Sequence, residues 1–247
     1  MKLPRAVRLA LWLPTATDLP AARRAALGVD GDDEPHTVDG EPLAAELARI
    51  AAEPGDVVAL LPTPGDVLGV PAAASGAALD AGECVLVRTG AGARVLVPEV
   101  HAFGSALEPG AHVDWHVVPA GPEAVGPAPL SLGEARAGLL EAMLTATQAL
   151  AAIDVARWRD EAADLVREAA SPHPPDGWDL PAELDQRRVD VLLRAARLLA
   201  IAELATSDDG AAITSWQADR RLGALLDVRA AARHAVAAAT AQRLGRV

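Results

Sequence analysis

The sequence predicts an α+β fold: an N-terminal, mainly antiparallel sheet with helices, followed by a C-terminal antiparallel helical bundle. Three observations carry this. Between residues 55 and 118, apolar runs and alternating polar–apolar stretches are separated by Gly- and Pro-containing turns, as in half-buried strands. From residue 131 onward the apolar spacing is almost wholly helical. Between the two lies "PAGPEAVGPAPLS" (119–131), whose Pro and Gly content marks a boundary. We therefore expect an α+β domain over 1–120, a linker over 121–130 and the bundle over 131–247.

The start, "MKLPRAVRLALWLPTA", places Lys2, Arg5 and Arg8 before a short apolar run that Pro14 breaks, so a first amphipathic helix is expected and not a secretory leader. "DLPAARRAALG" predicts a second helix, with Asp18 as its cap, Pro20 in its first turn and Gly28 just past its end. The acidic stretch Asp30, Asp32, Asp33 and Glu34 lacks the spacing of a calcium loop and reads as a solvated turn. Leu43, Leu47 and Ile50 predict a helix that stops at Pro54-Gly55. "DVVALLP" then suits a strand buried on both faces, "TPGDVLGVP" a loop and "AAASGAALDAG" a short helix.

"CVLVR" and "RVLVP" flank "TGAGA", whose glycines supply the positive φ that a tight hairpin needs. A second hairpin runs from "VHAFG" through Pro109-Gly110 to "AHVDWHVV". In the second half, Ser131-Leu-Gly-Glu134 is a capping box opening a helix with Leu132, Leu139, Met143, Leu150 and Ile153 near one stripe. A helix follows over about 155–170, "SPHPPDGWDLP" breaks the pattern, and "AELDQRRVDVLLRAARLLAIAELA" is a third helix with a wide apolar face. Thr214-Ser-Trp-Gln217 is a second capping box, opening a last helix with Leu222, Leu225, Leu226, Ala232 and Val236 inward.

Composition limits function. Half of the 247 residues are apolar, enough for a real core, while the formal charge of −12 argues against a general nucleic-acid binder, since Lys and Arg supply non-specific phosphate affinity. From residue 211 onward the balance reverses, with six arginines against Asp219 and Asp227, so Arg220, Arg221, Arg229 and Arg233 are candidates for docking an acidic surface. Cys84 stands alone, which rules out an intrachain disulfide and fits a cytoplasmic setting; no membrane-spanning segment is expected. Of the five tryptophans, Trp178 lies in the Pro-rich break, where it is either pinned onto the bundle or offered to a partner.

The one constellation resembling chemistry is "AHVDWHVVP". On a strand, His112, Asp114 and His116 share a face, and imidazole and carboxylate at alternate positions can converge on a divalent cation. Pairing across Pro109-Gly110 would set His101 opposite Asp114 as a further ligand. The plainer reading, which we prefer, is the solvated face of a strand. "TGAGAR" lacks the Walker lysine, no serine sits in a nucleophile elbow, and Cys84 falls on a buried strand.

Taken together, "DDEPHTV", "LPTPGDVLGVP", "ALDAGECVL" and "SLGEARAGLLEA" resemble a family of conserved hypothetical proteins of actinobacteria. The resemblance implies a bacterial cytoplasmic protein and brings no activity, cofactor or catalytic residue. The expectation is a non-enzymatic interaction or regulatory module with a protein partner and a capacity to self-associate through the third helix. The alternatives are a metal-dependent enzyme centred on His112, Asp114 and His116, and a small-molecule sensor.

Overall fold

The computed structural model describes residues 2–30, 34–105, 108–121, 128–151, 173–175, 177–207 and 215–245. The fold is α+β. Its sheet has the order β2-β1-β6-β5-β4-β3-β7, with β1 (His36–Val38), β2 (Glu41–Pro42), β3 (Gly55–Leu60), β4 (Cys84–Thr89), β5 (Gly92–Gly104), β6 (Pro109–Ala120) and β7 (Gln242–Leu244). Every pairing is antiparallel except β1 on β6. The helices are α1 (Arg5–Trp12), α2 (Leu19–Asp30), α3 (Leu43–Ala51), α4 (Ala72–Ala81), α5 (Leu132–Ala151), α6 (Gln186–Ser207) and α7 (Ser215–Thr240).

The local signals act largely as expected. The Asp18 carboxylate accepts the Ala21 N–H at 2.7 Å and opens α2. Gly28, however, lies inside α2 and not beyond it, and the Trp12 ring occupies the space a Cβ there would need. The same ring is anchored by its indole N–H donating to the Asp179 carbonyl at 2.8 Å. Leu43, Leu47 and Ile50 are buried along α3, and Gly82 in the left-handed conformation ends α4. The β4–β5 turn is Gly90-Ala91, held between the paired Thr89 and Gly92.

The chain forms two compact units. One contains the sheet together with α1 to α4. It also takes in β7, which pairs antiparallel with β3, and the segment around Trp178. The last residues thus return to the sheet and do not continue the helical half in which the sequence places them. The Thr240 hydroxyl accepts the Ala59 N–H at 3.1 Å just before that strand.

The second unit is built on α5, α6 and most of α7. Ser131 Oγ accepts the Glu134 N–H at 3.2 Å while the Glu134 carboxylate accepts the Ser131 N–H at 2.8 Å, the reciprocal box expected there. Ala202, Ala224 and Val228 form a shared core with Ala142 and Leu198, joining all three helices. Leu225, Ala232 and Val236 are buried as expected, whereas Leu222, Leu226 and Met143 are exposed. The helix over 155–170 and Thr214 of the second capping box lie outside the described residues. In α6, Val189, Val191, Leu192, Leu193, Ala195 and Ala196 are buried within the chain, so the wide apolar face expected to drive self-association is already used. Arg188 donates to the carbonyls of Ala238 and Ala239 at 3.3 and 3.1 Å, a cation on the end of α7. Arg188→Ala is expected to lower stability by about 1 kcal/mol, read as an earlier urea midpoint at unchanged slope.

Candidate functional site

Strict alternation along β6 sets His112, Asp114 and His116 on one face and the buried Val113 and Trp115 on the other. Neighbouring strands add to the polar face by register. Thr37 of β1 is level with Asp114, and β5 brings Glu99 opposite Asp114 and His101 opposite His112. The expected pairing of His101 with Asp114 is therefore corrected by two residues. The long hairpin closes nearer its tip, through Gly104 and Pro109, than the turn signal Pro109-Gly110 implies.

His112, Asp114, His116 and Glu99 on this face each have a hydrogen-bond partner in the chain. Thr37 donates its hydroxyl to Asp114 Oδ1 at 2.6 Å, so the contact with His112 Nε2 at 3.1 Å has the imidazole N–H donating to Thr37. Asp114 also accepts the Gly40 N–H at 3.0 Å. Partial burial works against its charge, but these bonds and the nearby imidazoles win, holding the carboxyl below its ordinary pKa. His116 Nε2 meets Glu99 Oε2 at 2.6 Å, and its Nδ1 stands 3.5 Å from Asp39. The bond to Glu99, with the charges of Asp114 and Glu99, raises the His116 pKa and favours imidazolium. His101 lies 3.9 Å from Glu99 and stacks on His112.

The side chains of the alternative metal-site reading turn to different neighbours: His112 to Thr37, Asp114 to Thr37 and Gly40, His116 to Glu99. Among the described residues, no three His, Cys, Asp or Glu side chains are grouped so as to hold a metal ion. Cys84 is buried, and desolvation pushes its thiol up to about 12, leaving it a packing residue.

Two contributors were missed by the reading of the sequence. Asp39 and Gly40 both have positive φ, forming a two-residue hairpin turn between β1 and β2, and their side chain and amide lock onto β6. The signal was present in "TVDGEP", since Asp-Gly between strand-like residues is a strong cue for this turn. The other is a charged network around β1. Glu34 accepts from Arg5 at 2.6 and 3.0 Å and from Arg8 at 2.9 Å. Glu83 is only 8 % exposed and accepts the Ala6 N–H at 2.8 Å, capping α1 from 77 residues away; its burial raises its pKa. His36 Nδ1 accepts the Trp115 indole N–H at 3.0 Å inside the same region. "DDEPHTV" therefore carries a partly buried ion pair where a solvated turn was expected; Asp32 and Asp33 lie outside the described residues.

The candidate interaction residues fare differently. Trp178 is 2 % exposed, pinned and not offered to a partner, and Arg233 is 8 % exposed, which withdraws it from any docking face. Arg229 is half-buried; Arg220 and Arg221 lie on α7, their side chains outside the described residues. Exposed apolar groups of the sheet unit lie elsewhere, at Leu19 and Leu27 of α2, at Val67 and on the β5–β6 hairpin. Val100 is 44 % and Phe103 58 % exposed on the outer part of the β5–β6 hairpin, where every residue of β5 from Glu99 to Gly104 is exposed. The Phe103 ring lies over Gly110, in the space a Cβ there would fill.

No helix among the described residues is long and apolar enough to cross a membrane. Two family models match the chain: Rv1486c-like protein, N-terminal domain, over residues 6–130, and Rv1486c-like protein, C-terminal domain, over residues 133–237. No curated protein and no solved structure matches it.

Proposed function

The chain belongs to the Rv1486c-like protein family, and from that premise we propose that it is a non-enzymatic cytoplasmic interaction or regulatory module whose docking surface is the outer β5–β6 hairpin. The observation that carries this reading is the pairing of a satisfied polar face with exposed apolar groups. The imidazoles of His112 and His116 and the carboxylates of Glu99 and Asp114 bond to one another, to Thr37 and to Gly40, while Val100 and Phe103 stand in water at the end of the same hairpin. A recognition surface needs exposed apolar side chains on a rigid frame, and aromatic residues are favoured there.

Affinity capture from the native cell with wild type and Phe103→Asp tests this. A specific protein retained by wild type and lost with the variant is the expected result, at unchanged thermal stability. Capture unaffected by Phe103→Asp would overturn the assignment of the hairpin. The metal-enzyme alternative is read separately by elemental analysis of protein prepared without a polyhistidine tag. Stoichiometric Zn, Mn or Fe that disappears in His112→Ala and His116→Ala would replace the present reading.

A further inference from the structure

Among the described residues, the β5 strand has a partner on one side only beyond Leu96. β4 pairs with β5 from Gly92 to Leu96 and goes no further, whereas β6 follows β5 to Gly104. Which backbone groups face the vacant side follows from the ladder. On β6, the Val113 N–H donates to Pro35, the Trp115 carbonyl accepts from Asp39 and the Val117 N–H donates to the Asp39 side chain, so its odd residues face β1 and its even ones face β5. Their partners Val97, Glu99, His101 and Phe103 bond to β6, as Ser105, donating to Glu108, also does. The N–H and C=O groups of Val100 and Ala102 therefore point away from β6, along an exposed edge.

We propose that this edge pairs antiparallel with the same edge of a second copy of the chain, about a two-fold axis at Val100. This rests on the hairpin being a docking surface and names its occupant. Proline and charged side chains on an edge normally keep copies apart. Here "VPEVHAF", residues 97–103, matches itself in one antiparallel register. With Val100 opposite Val100 of the second copy, the two exchange both backbone hydrogen bonds. Glu99 of each copy falls beside His101 of the other on the same face, and Phe103 lies toward Val97. Shifting the register by two residues puts His101 against His101 and Glu99 against Phe103, losing the match of acid with imidazole. Pro98 is buried and lacks an N–H, so the seam ends there. A seam this short predicts a weak dimer that forms with rising concentration.

Sedimentation over micromolar to millimolar concentration tests it on the full chain. Wild type is expected to approach twice the monomer mass. Val100→Pro removes an edge N–H while sparing the β5–β6 ladder, and is expected to weaken association at least tenfold with unchanged circular dichroism. Independently of that variant's folding, Val100→Cys is expected to give a covalent dimer under mild oxidation. Directly opposed residues of this kind have Cα atoms about 5.5 Å apart, within disulfide reach. Ala102→Cys is expected to give far less, since each Ala102 faces Pro98. A monomeric wild type without cross-linking of Val100→Cys overturns the proposal, as does a dimer that Val100→Pro leaves intact. If the protein is monomeric while Phe103→Asp still abolishes capture of a cellular protein, the docking surface stands and only its self-pairing is lost.

Discussion

Trp115→Ala is expected to destabilise the protein by about 3–5 kcal/mol, the usual cost of emptying a fully enclosed aromatic site. The Trp115 side chain is wholly buried on the inner face of β6, in register with Val38 of β1 and Pro98 of β5. Its indole N–H is also the donor to His36 Nδ1, so truncation removes packing and leaves a buried acceptor without that donor. Trp115→Phe separates the two contributions. It keeps an aromatic ring but not the hydrogen bond, and is expected to cost about 1–3 kcal/mol. Urea unfolding of both variants gives the comparison; a loss below about 1 kcal/mol for Trp115→Ala would show that β1 and β6 do not depend on this contact.

The second large effect is acid destabilisation through His36. Burial, and next the Arg8 charge, push its pKa down to about 4 from an ordinary 6.5, against the opposing pull of Glu34. The bond from Trp115 occupies Nδ1, so the neutral ring carries its proton on Nε2, 3.7 Å from Glu34. Because the folded pKa lies below the unfolded one, the unfolded chain takes up the proton first. The contribution is complete above about pH 6.5 and is lost as pH falls toward 4. The window is worth on the order of 3 kcal/mol. Glu34, whose pKa is lowered chiefly by its bonds to Arg5 against the effect of its burial, adds a loss of the same sign at lower pH. Glu83 and His116, both raised, contribute in the opposite sense as pH falls. Comparison with His36→Gln isolates the imidazole: its stability is expected to be flatter than wild type between pH 6.5 and 4. Parallel curves for the two proteins would remove His36 from the account.

Much of the architecture was legible residue by residue. Leu43, Leu47 and Ile50 mark a helix by spacing, "TGAGA" a tight turn by its place between two strand-like runs, and Ser131 with Glu134 a helix start by reciprocal bonding. Each signal acts within one or two turns of chain, where propensity and hydrogen-bond geometry suffice. The alternation around Asp114 likewise foretold that its two histidine neighbours share its face. It did not foretell their partners, since Thr37, Gly40 and Glu99 come from other strands.

What the sequence alone determined, then, is the class of fold, the placing of most helices and strands, and the side of β6 on which the polar residues lie. Only the tertiary structure decided that His101 meets His112, that β1 runs parallel to β6, and that β7 returns to β3. It also decided that Trp178 and Arg233 are enclosed and that Glu83 caps a helix 77 residues earlier. The physical reason is range. Periodicity and turn chemistry are set by neighbours along the chain, whereas register, burial and charge pairing are settled by which distant segments together exclude the most water and leave the fewest polar groups unmatched.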